Sequence, residues 1–315
     1  MNFRLNTVHT ALLFVMMFLG CTSPQDTKTI AKTESTTPKE APKSRLSADL
    51  GTPDNPINLY LTPSRSVELV EQTGKLLINY LHAETALNFE LQVSDSYDDM
   101  IKAFASNDGD IALMNSASYI KARDAYGVNA KLKAIRYGKS NYYGQIIANT
   151  NSGIDKISDI QGKSVVYTDS LSTSGYLFPK KIFADYNIQP AKTAFAGTHD
   201  RVVKMVYMGI ADAGATYYSE PSSDGEIRDA RSRLLSEFPD VAEKVKILQV
   251  TEAIPNDPVV FGKHVNKDIS FQVSLALIKY LETPEGKNAM SDLYSIEGYT
   301  RCTDADYDGL RRVLN

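Results

Sequence analysis

From residue 57 onward, apolar positions recur with two periods. Ile57-Asn58-Leu59-Tyr60-Leu61 is a short apolar run ended by Thr62-Pro63-Ser64, and Phe89–Val93 alternates with period two; both read as strands. Between them Val67, Val70, Leu77 and Leu81, with Leu69, Thr73, Leu76 and Tyr80 beside them, form a helical stripe over Ser66–Leu81. Asp98–Ala105 reads as a helix and Asp110–Asn115 as a buried strand. That β-α-β-α-β order predicts a mostly parallel sheet with helices on its faces. The pattern then recurs. Strands are expected at Gln145–Ala148, Gly162–Tyr167 and Ala211–Thr216, with a helix after the second and another over Arg201–Met208. Met100–Phe104 followed by Asp110-Ile111-Ala112 matches Val202–Val206 followed by Asp212-Ala213-Gly214, as two lobes built on one plan would. Glu226–Glu243 is a charged amphipathic segment, and Phe271–Leu281 and Pro284–Leu293 read as terminal helices. The expected organisation is one lobe from 55–140 and 253–315, a second from 141–252, and a ligand cleft between them.

The first residues read as an address. Arg4 precedes the uncharged run Ala11–Gly20, too short to span a bilayer core but long enough for a signal-peptide core. Leu19-Gly20-Cys21 then resembles a bacterial lipoprotein cleavage site, although Phe18 stands where such sites usually carry Leu. The resemblance implies removal of residues 1–20 and a lipid on Cys21; an ordinary secretory signal with a chance cysteine is the competing reading. Residues 22–50 are rich in Thr, Ser, Lys, Glu and Pro and lack aromatic residues, so 21–54 is expected to be a lipidated cysteine and a solvated tether.

Composition narrows the function. The chain has 315 residues, with 34 Lys+Arg against 38 Asp+Glu, a net charge of −4 that argues against a nucleic-acid partner. Two cysteines exclude a disulfide scaffold and leave Cys302 as a structural thiol once Cys21 is lipidated. No phosphate-loop, dinucleotide, HExxH, CxxC or G-x-S-x-G motif is present, and the four histidines are scattered. No enzyme, cofactor or metal site is expected.

Three places carry chemistry. Thr168–Tyr176 follows a predicted strand and opens a predicted helix, placing Ser172, Thr173 and Ser174 around the free N–H groups of a first turn. Hydroxyls, amides and the helix dipole together favour an anion there. A helix cap alone needs one such residue, not three. Gly197-Thr198-His199-Asp200 precedes the helix at 201; Asp200 suits an N-cap, and His199 is either structural or a donor facing the cleft. Finally, Tyr97, Tyr142, Tyr143, Tyr217 and Tyr218 fall at the ends of predicted elements, and adjacent Tyr142 and Tyr143 must point to opposite faces of a strand.

The stretch from about Asn58 to Tyr307 resembles the phosphonate/phosphite/phosphate-binding branch of the substrate-binding proteins of ABC transporters. The resemblance rests on Tyr97-(x)-(x)-Met100–Phe104, Asp110-Ile111-Ala112, Tyr142-Tyr143, Ser152-Gly153-Ile154 and Ile157–Lys163. It continues through Ser172–Tyr176, Thr198-His199-Asp200, Asp212–Thr216, Ile254–Pro258, Pro284-Glu285-Gly286 and Asp304–Tyr307. It implies a two-lobed α/β fold of the type II periplasmic-binding-protein kind, each lobe a mostly parallel or mixed sheet flanked by helices. It also implies an extracytoplasmic, monomeric lipoprotein that delivers a small phosphorus oxyanion to permease subunits.

Carried over residue by residue, the resemblance gives Ser172, Thr173 and Ser174 to the anion's oxygens. Hydroxyl donors come from Tyr97 and from Tyr142 or Tyr143, with His199 completing the cage and Tyr218 beside it. Asp257 would be a polar contact or an acceptor for a protonated ligand oxygen. Relatives that bind aminoalkylphosphonates carry an acidic residue just after the Gly-Ala-Thr strand. Here that place holds Tyr217-Tyr218, with Glu220 two residues on, so the expected ligand lacks an amine unless Glu220 reaches the cleft. The donors foreseen are neutral. Two further readings remain open: ferric-ion binding through Tyr217 and Tyr218, and a ligand-sensing lipoprotein partner of a membrane kinase.

Overall fold

A computed structural model of the protein describes residues 49–62 and 66–314. The leader, Cys21 and most of the expected tether lie outside the described residues. Among the described residues no helix is long and apolar enough to cross a membrane.

The chain first runs through β1 (Ile57–Leu61), α1 (Val67–Thr85), β2 (Phe89–Val93), α2 (Tyr97–Ala103), β3 (Ile111–Leu113), α3 (Ser116–Tyr126) and β4 (Asn129–Ile135). It crosses to β5 (Asn141–Asn149), β6 (Ser164–Tyr167), α4 (Phe178–Asp185), β7 (Lys192–Phe195), α5 (His199–Tyr207), β8 (Ala213–Tyr218), α6 (Val241–Lys244) and β9 (Val245–Pro255). It returns through β10 (Pro258–Phe261), α7 (Lys267–Tyr280), α8 (Pro284–Tyr294), β11 (Gly298–Arg301) and α9 (Asp308–Leu314).

Two mixed sheets result, ordered β11-β4-β10-β3-β1-β2 and β7-β6-β8-β5-β9. In each, three parallel strands are joined by helices, and a strand that belongs to the crossing, β10 or β5, pairs antiparallel with the last of the three. The repeated aspartates have a shared job. Asp110 Oδ2 accepts from the Asn58 amide at 2.8 Å, and Asp212 Oδ2 accepts from the Ser164 amide at 2.9 Å. Each ties the start of its lobe's third strand to the start of the first, satisfying an amide the sheet leaves unpaired.

Each sheet is covered on both faces. Leu59, Leu77, Leu277 and Leu293 join β1 to α1, α7 and α8 on one face of the first sheet, and Met100, Tyr119 and Tyr307 pack under the other. In the second lobe Val166, Val202 and Val206 pack on the α5 face and Val165, Phe183 and Ile188 on the α4 face. Cys302 is buried, and burial pushes its thiol up to about 12.

Three expectations change. β9 continues through Pro255, past the boundary expected at 252/253, so the return crossing falls at Asn256–Asp257. The segment 226–243, expected only to be charged and amphipathic, divides in two: Asp229 caps a 3-10 turn at Ala230–Leu234, and Pro239 separates it from the single turn of α6. The helix expected after β6 begins with a π-turn at Thr173–Leu177.

Candidate functional site

Both sheets direct the C-terminal ends of their parallel strands, and the N-termini of the helices that follow, at one cavity of about 60 Å³ between the lobes. That is room for a group of about four to six non-hydrogen atoms. Lobe 1 contributes Thr62 after β1, Tyr97 opening α2, Asn115 capping α3, and Tyr294 and Ser295 at the end of α8. Lobe 2 contributes Tyr142, Ser172–Ser174, His199, Tyr217, Ser219 and Arg233. The crossing segments contribute Arg136, Tyr137 and Asp257.

The Ser172–Ser174 turn is buried, and its hydroxyls are already ordered. Ser172 Oγ accepts from the Gly175 amide at 3.1 Å, so it is an N-cap as well as a cavity wall. Thr173 Oγ1 accepts from the Ala117 amide at 3.1 Å, a bond from lobe 2 to the first turn of α3 in lobe 1. Ser174 and Tyr142 both line the cavity. Two glycines permit this packing. A Cβ on Gly175 would come within 2.2 Å of Thr168 Oγ1, and one on Gly144 within 2.8 Å of the Ser174 carbonyl oxygen.

Tyr97 and Tyr142 are buried, and both hydroxyls are pushed well above the ordinary range, first by burial and then by the charge of Asp257. They remain protonated donors. His199, the first residue of α5, fixes its ring through Nδ1 to Thr216 Oγ1 at 2.8 Å and packs edge-on against Tyr217. Of the expected residues, the fold thus brings together Ser172, Thr173, Ser174, Tyr97, Tyr142, His199 and Asp257. Tyr143 and Tyr218 lie on the opposite face of their strands and meet edge to face with ring centroids 6.1 Å apart. Glu220 lines a separate outer pocket. Tyr217 and Tyr218 therefore face opposite ways and do not converge on one ion; among the described residues no His/Cys/Asp/Glu cluster suited to a metal is found.

The expectation of purely neutral donors is overturned by two arginines that the sequence did not single out. Arg136, in the first crossing, donates from Nη2 to Asp257 Oδ2 at 2.7 Å and from Nε to the Tyr294 carbonyl at 2.7 Å. Burial works against its charge, and the Asp257 carboxylate outweighs that. Arg233, in the 3-10 turn, lies over the Tyr217 ring at 5.0 Å and donates from Nε to its hydroxyl at 2.9 Å. Its Nη1 is buried without a hydrogen-bond partner, as is Asp257 Oδ1. A buried donor and a buried acceptor at a cavity wall each cost free energy until a ligand satisfies them. Both arginines sit in segments where no local pattern marks them among 34 Lys and Arg; the only signal was that each neighbours an irregular connection.

The cavity combines two guanidinium groups, helix N-termini, neutral hydroxyls and one carboxylate. It suits a small multivalent oxyanion that keeps one proton.

Residues 59–307 match the family model described as ABC transporter, phosphonate, periplasmic substrate-binding protein. The chain belongs to this family of periplasmic substrate-binding proteins of phosphonate ABC transporters. It is 26% identical over 203 residues to the phosphonates-binding periplasmic protein of Escherichia coli, a match covering 62% of this chain and 58% of that protein. It is 23% identical over 287 residues to the phosphate-import protein PhnD of Mycolicibacterium smegmatis, covering 82% and 85% of the two chains. The binding protein component of an ABC phosphonate transporter from Pseudomonas aeruginosa superposes with a TM-score of 0.70 at 19% identity, over 82% of this chain and 84% of that one. The type II binding-protein fold foreseen from the sequence is the fold observed.

Proposed function

We propose that this protein captures a phosphorus oxyanion in the inter-lobe cavity and delivers it to the membrane subunits of an ABC importer. The observation that carries this reading is the pairing of an unpartnered buried donor, Arg233 Nη1, with an unpartnered buried acceptor, Asp257 Oδ1, in one small cavity. The names of the relatives from Escherichia coli and Mycolicibacterium smegmatis, which bind phosphonates and import phosphate, support the same class. In this reading Arg233, Ser172–Ser174, Tyr97, Tyr142 and His199 hold the charged oxygens. Asp257 accepts from a protonated ligand oxygen, which favours phosphate or a phosphonate monoanion and repels sulfate, which has no proton to give near neutral pH. Asp257 is the only carboxylate in the cavity wall among the described residues and is engaged by Arg136. A ligand ammonium inside this cavity would go unpaired.

Binding acts through closure. The anion contacts both lobes, so it has higher affinity for the closed form and selects it. A lipid on Cys21, with the residues after it as a tether, would keep the protein beside its permease.

Isothermal titration with phosphate, phosphite, methylphosphonate, 2-aminoethylphosphonate and sulfate tests the reading. Tight binding of a phosphorus oxyanion with sulfate excluded is expected; binding of none of the phosphorus compounds would refute it.

A further inference from the structure

Tyr137 belongs to two spaces at once: the anion cavity and a larger pocket outside it. Arg136 and Lys139 exchange both backbone hydrogen bonds at 2.9 Å, closing a two-residue turn between β4 and β5. Its central residues, Tyr137 and Gly138, have φ of 50° and 68°. Positive φ at both places suits glycine and asparagine, and a tyrosine enters it at a cost. The ring is supported from the second lobe, where the Arg228 guanidinium lies over it at 4.7 Å. Tyr137 and the small Ser219, with Arg136 and Tyr142, line both spaces and stand between them.

Beyond that partition the outer pocket has about 500 Å³. Lys139, in the crossing turn, and Arg228, in the second lobe, stand in its wall and form no ion pair with a described residue. Glu220 is the one carboxylate in the wall. Asp224, which feels the charge of Arg228, is already held by Ser222.

We infer that the ligand is larger than a bare oxyanion: its phosphorus group fills the inner cavity, and a substituent passes between Tyr137 and Ser219 into the outer pocket, carrying a second negative charge to Lys139 and Arg228. The chemical class is a phosphonate or phosphate monoester with a carboxylate or similar anionic end. This rests on the phosphorus reading of the inner cavity. Lys139 belongs to the crossing turn and Arg228 to the second lobe, so the substituent adds a contact between that lobe and the crossing. An ammonium end would meet Glu220 but also both cations.

The test is isothermal titration of the mature chain at pH 7 and fixed ionic strength with methylphosphonate, phosphonoacetate and 2-aminoethylphosphonate. Phosphonoacetate is expected to bind about tenfold more tightly than methylphosphonate, the effect of one partly desolvated charge contact. In Lys139→Gln and Arg228→Gln together that advantage should disappear while methylphosphonate still binds, which also shows that the variant is folded. Equal affinities in the native chain, or an advantage that survives the double substitution, overturns the proposal. Preference for the amine-bearing compound overturns it in favour of Glu220. Binding of none of the three removes the phosphorus reading itself and this inference with it.

Discussion

Arg136 Nη2 donates to Asp257 Oδ2 at 2.7 Å, and the two residues stand on the two separate segments by which the chain passes between its lobes. The neighbouring Asn256 binds the same structure together, donating to the carbonyls of Ala134 and Lys139 and accepting from Arg136 Nη1 at 3.3 Å. Charge in the cavity is thus mounted on the crossing itself, so a ligand that pulls on either group also acts on the angle between the lobes.

Asp257→Asn tests the proton preference. Asparagine offers one acceptor oxygen, which Arg136 would keep, and turns an NH₂ donor toward the ligand. Sulfate affinity should rise and phosphate affinity fall, changing their ratio by about a hundredfold, close to 2.7 kcal/mol. Titration with both anions at neutral pH measures it, and an unchanged ratio would remove Asp257 from the site.

Arg233→Met retains much of the volume over Tyr217 but removes the charge and the unpartnered Nη1. Loss of a charged hydrogen bond to the ligand is expected to weaken binding by about 1.5–3 kcal/mol. Ligand-free melting should change much less than affinity. A variant that melts early yet binds normally would assign Arg233 to stability alone.

Thr173 separates closure from contact. Its hydroxyl takes the Ala117 amide across the cleft. Thr173→Val removes that bond at nearly constant shape and should favour the open form by about 1 kcal/mol, whereas Thr173→Ser should not. Solution scattering of the ligand-free protein would show a larger mean radius for the valine variant only.

Gly175→Ala should damage the site through packing. The added methyl meets Thr168 Oγ1 and Cβ at 2.2 and 2.7 Å, and Thr168 belongs to the buried set that orients His199. Overpacking of this kind costs about 1–3 kcal/mol. The melting temperature and the affinity should fall together, and normal behaviour of both would show that the turn has slack.

Alkaline pH should unfold the protein. Burial raises the hydroxyls of Tyr97, Tyr142, Tyr167, Tyr217 and Tyr299 above their unfolded value near 10. Each therefore contributes stability that is fully present below about pH 10 and is lost as pH rises beyond it, because the unfolded chain releases these protons first. Melting temperature measured from pH 8 to 11.5 should hold level and then drop, and the binding donors should stay protonated over the level range.

The sequence by itself determined the lobe plan and the anion turn. Strand and helix periods are local records of which side chains are buried, so Ile57–Leu61, the Val67–Leu81 stripe and the helix expected at 201–208 were legible, although that helix starts at His199 after Thr198 and takes Asp200 into its first turn, and the repeated aspartates at 110 and 212 marked equivalent places in two sheets. Three successive hydroxyls at a strand-to-helix turn were legible as well, because a cap needs only one. Other elements left a weaker record. Edge strand β7 is exposed along its whole length and has no buried face to register, and the buried positions of α3 mix Tyr119 and Ile120 with Ser116, Ala117, Ser118 and Ala122, which makes no clean apolar stripe. Tertiary structure decided the electrostatics. Arg136 and Arg233 differ from the other cationic side chains only in what surrounds them, and a connection of irregular backbone carries no period that points its side chains inward. It also decided between adjacent tyrosines. Alternation requires Tyr142 and Tyr143 to face apart, but only the packing of one sheet against the opposite lobe turns Tyr142 and Tyr217 to the cavity and leaves Tyr143 and Tyr218 to each other.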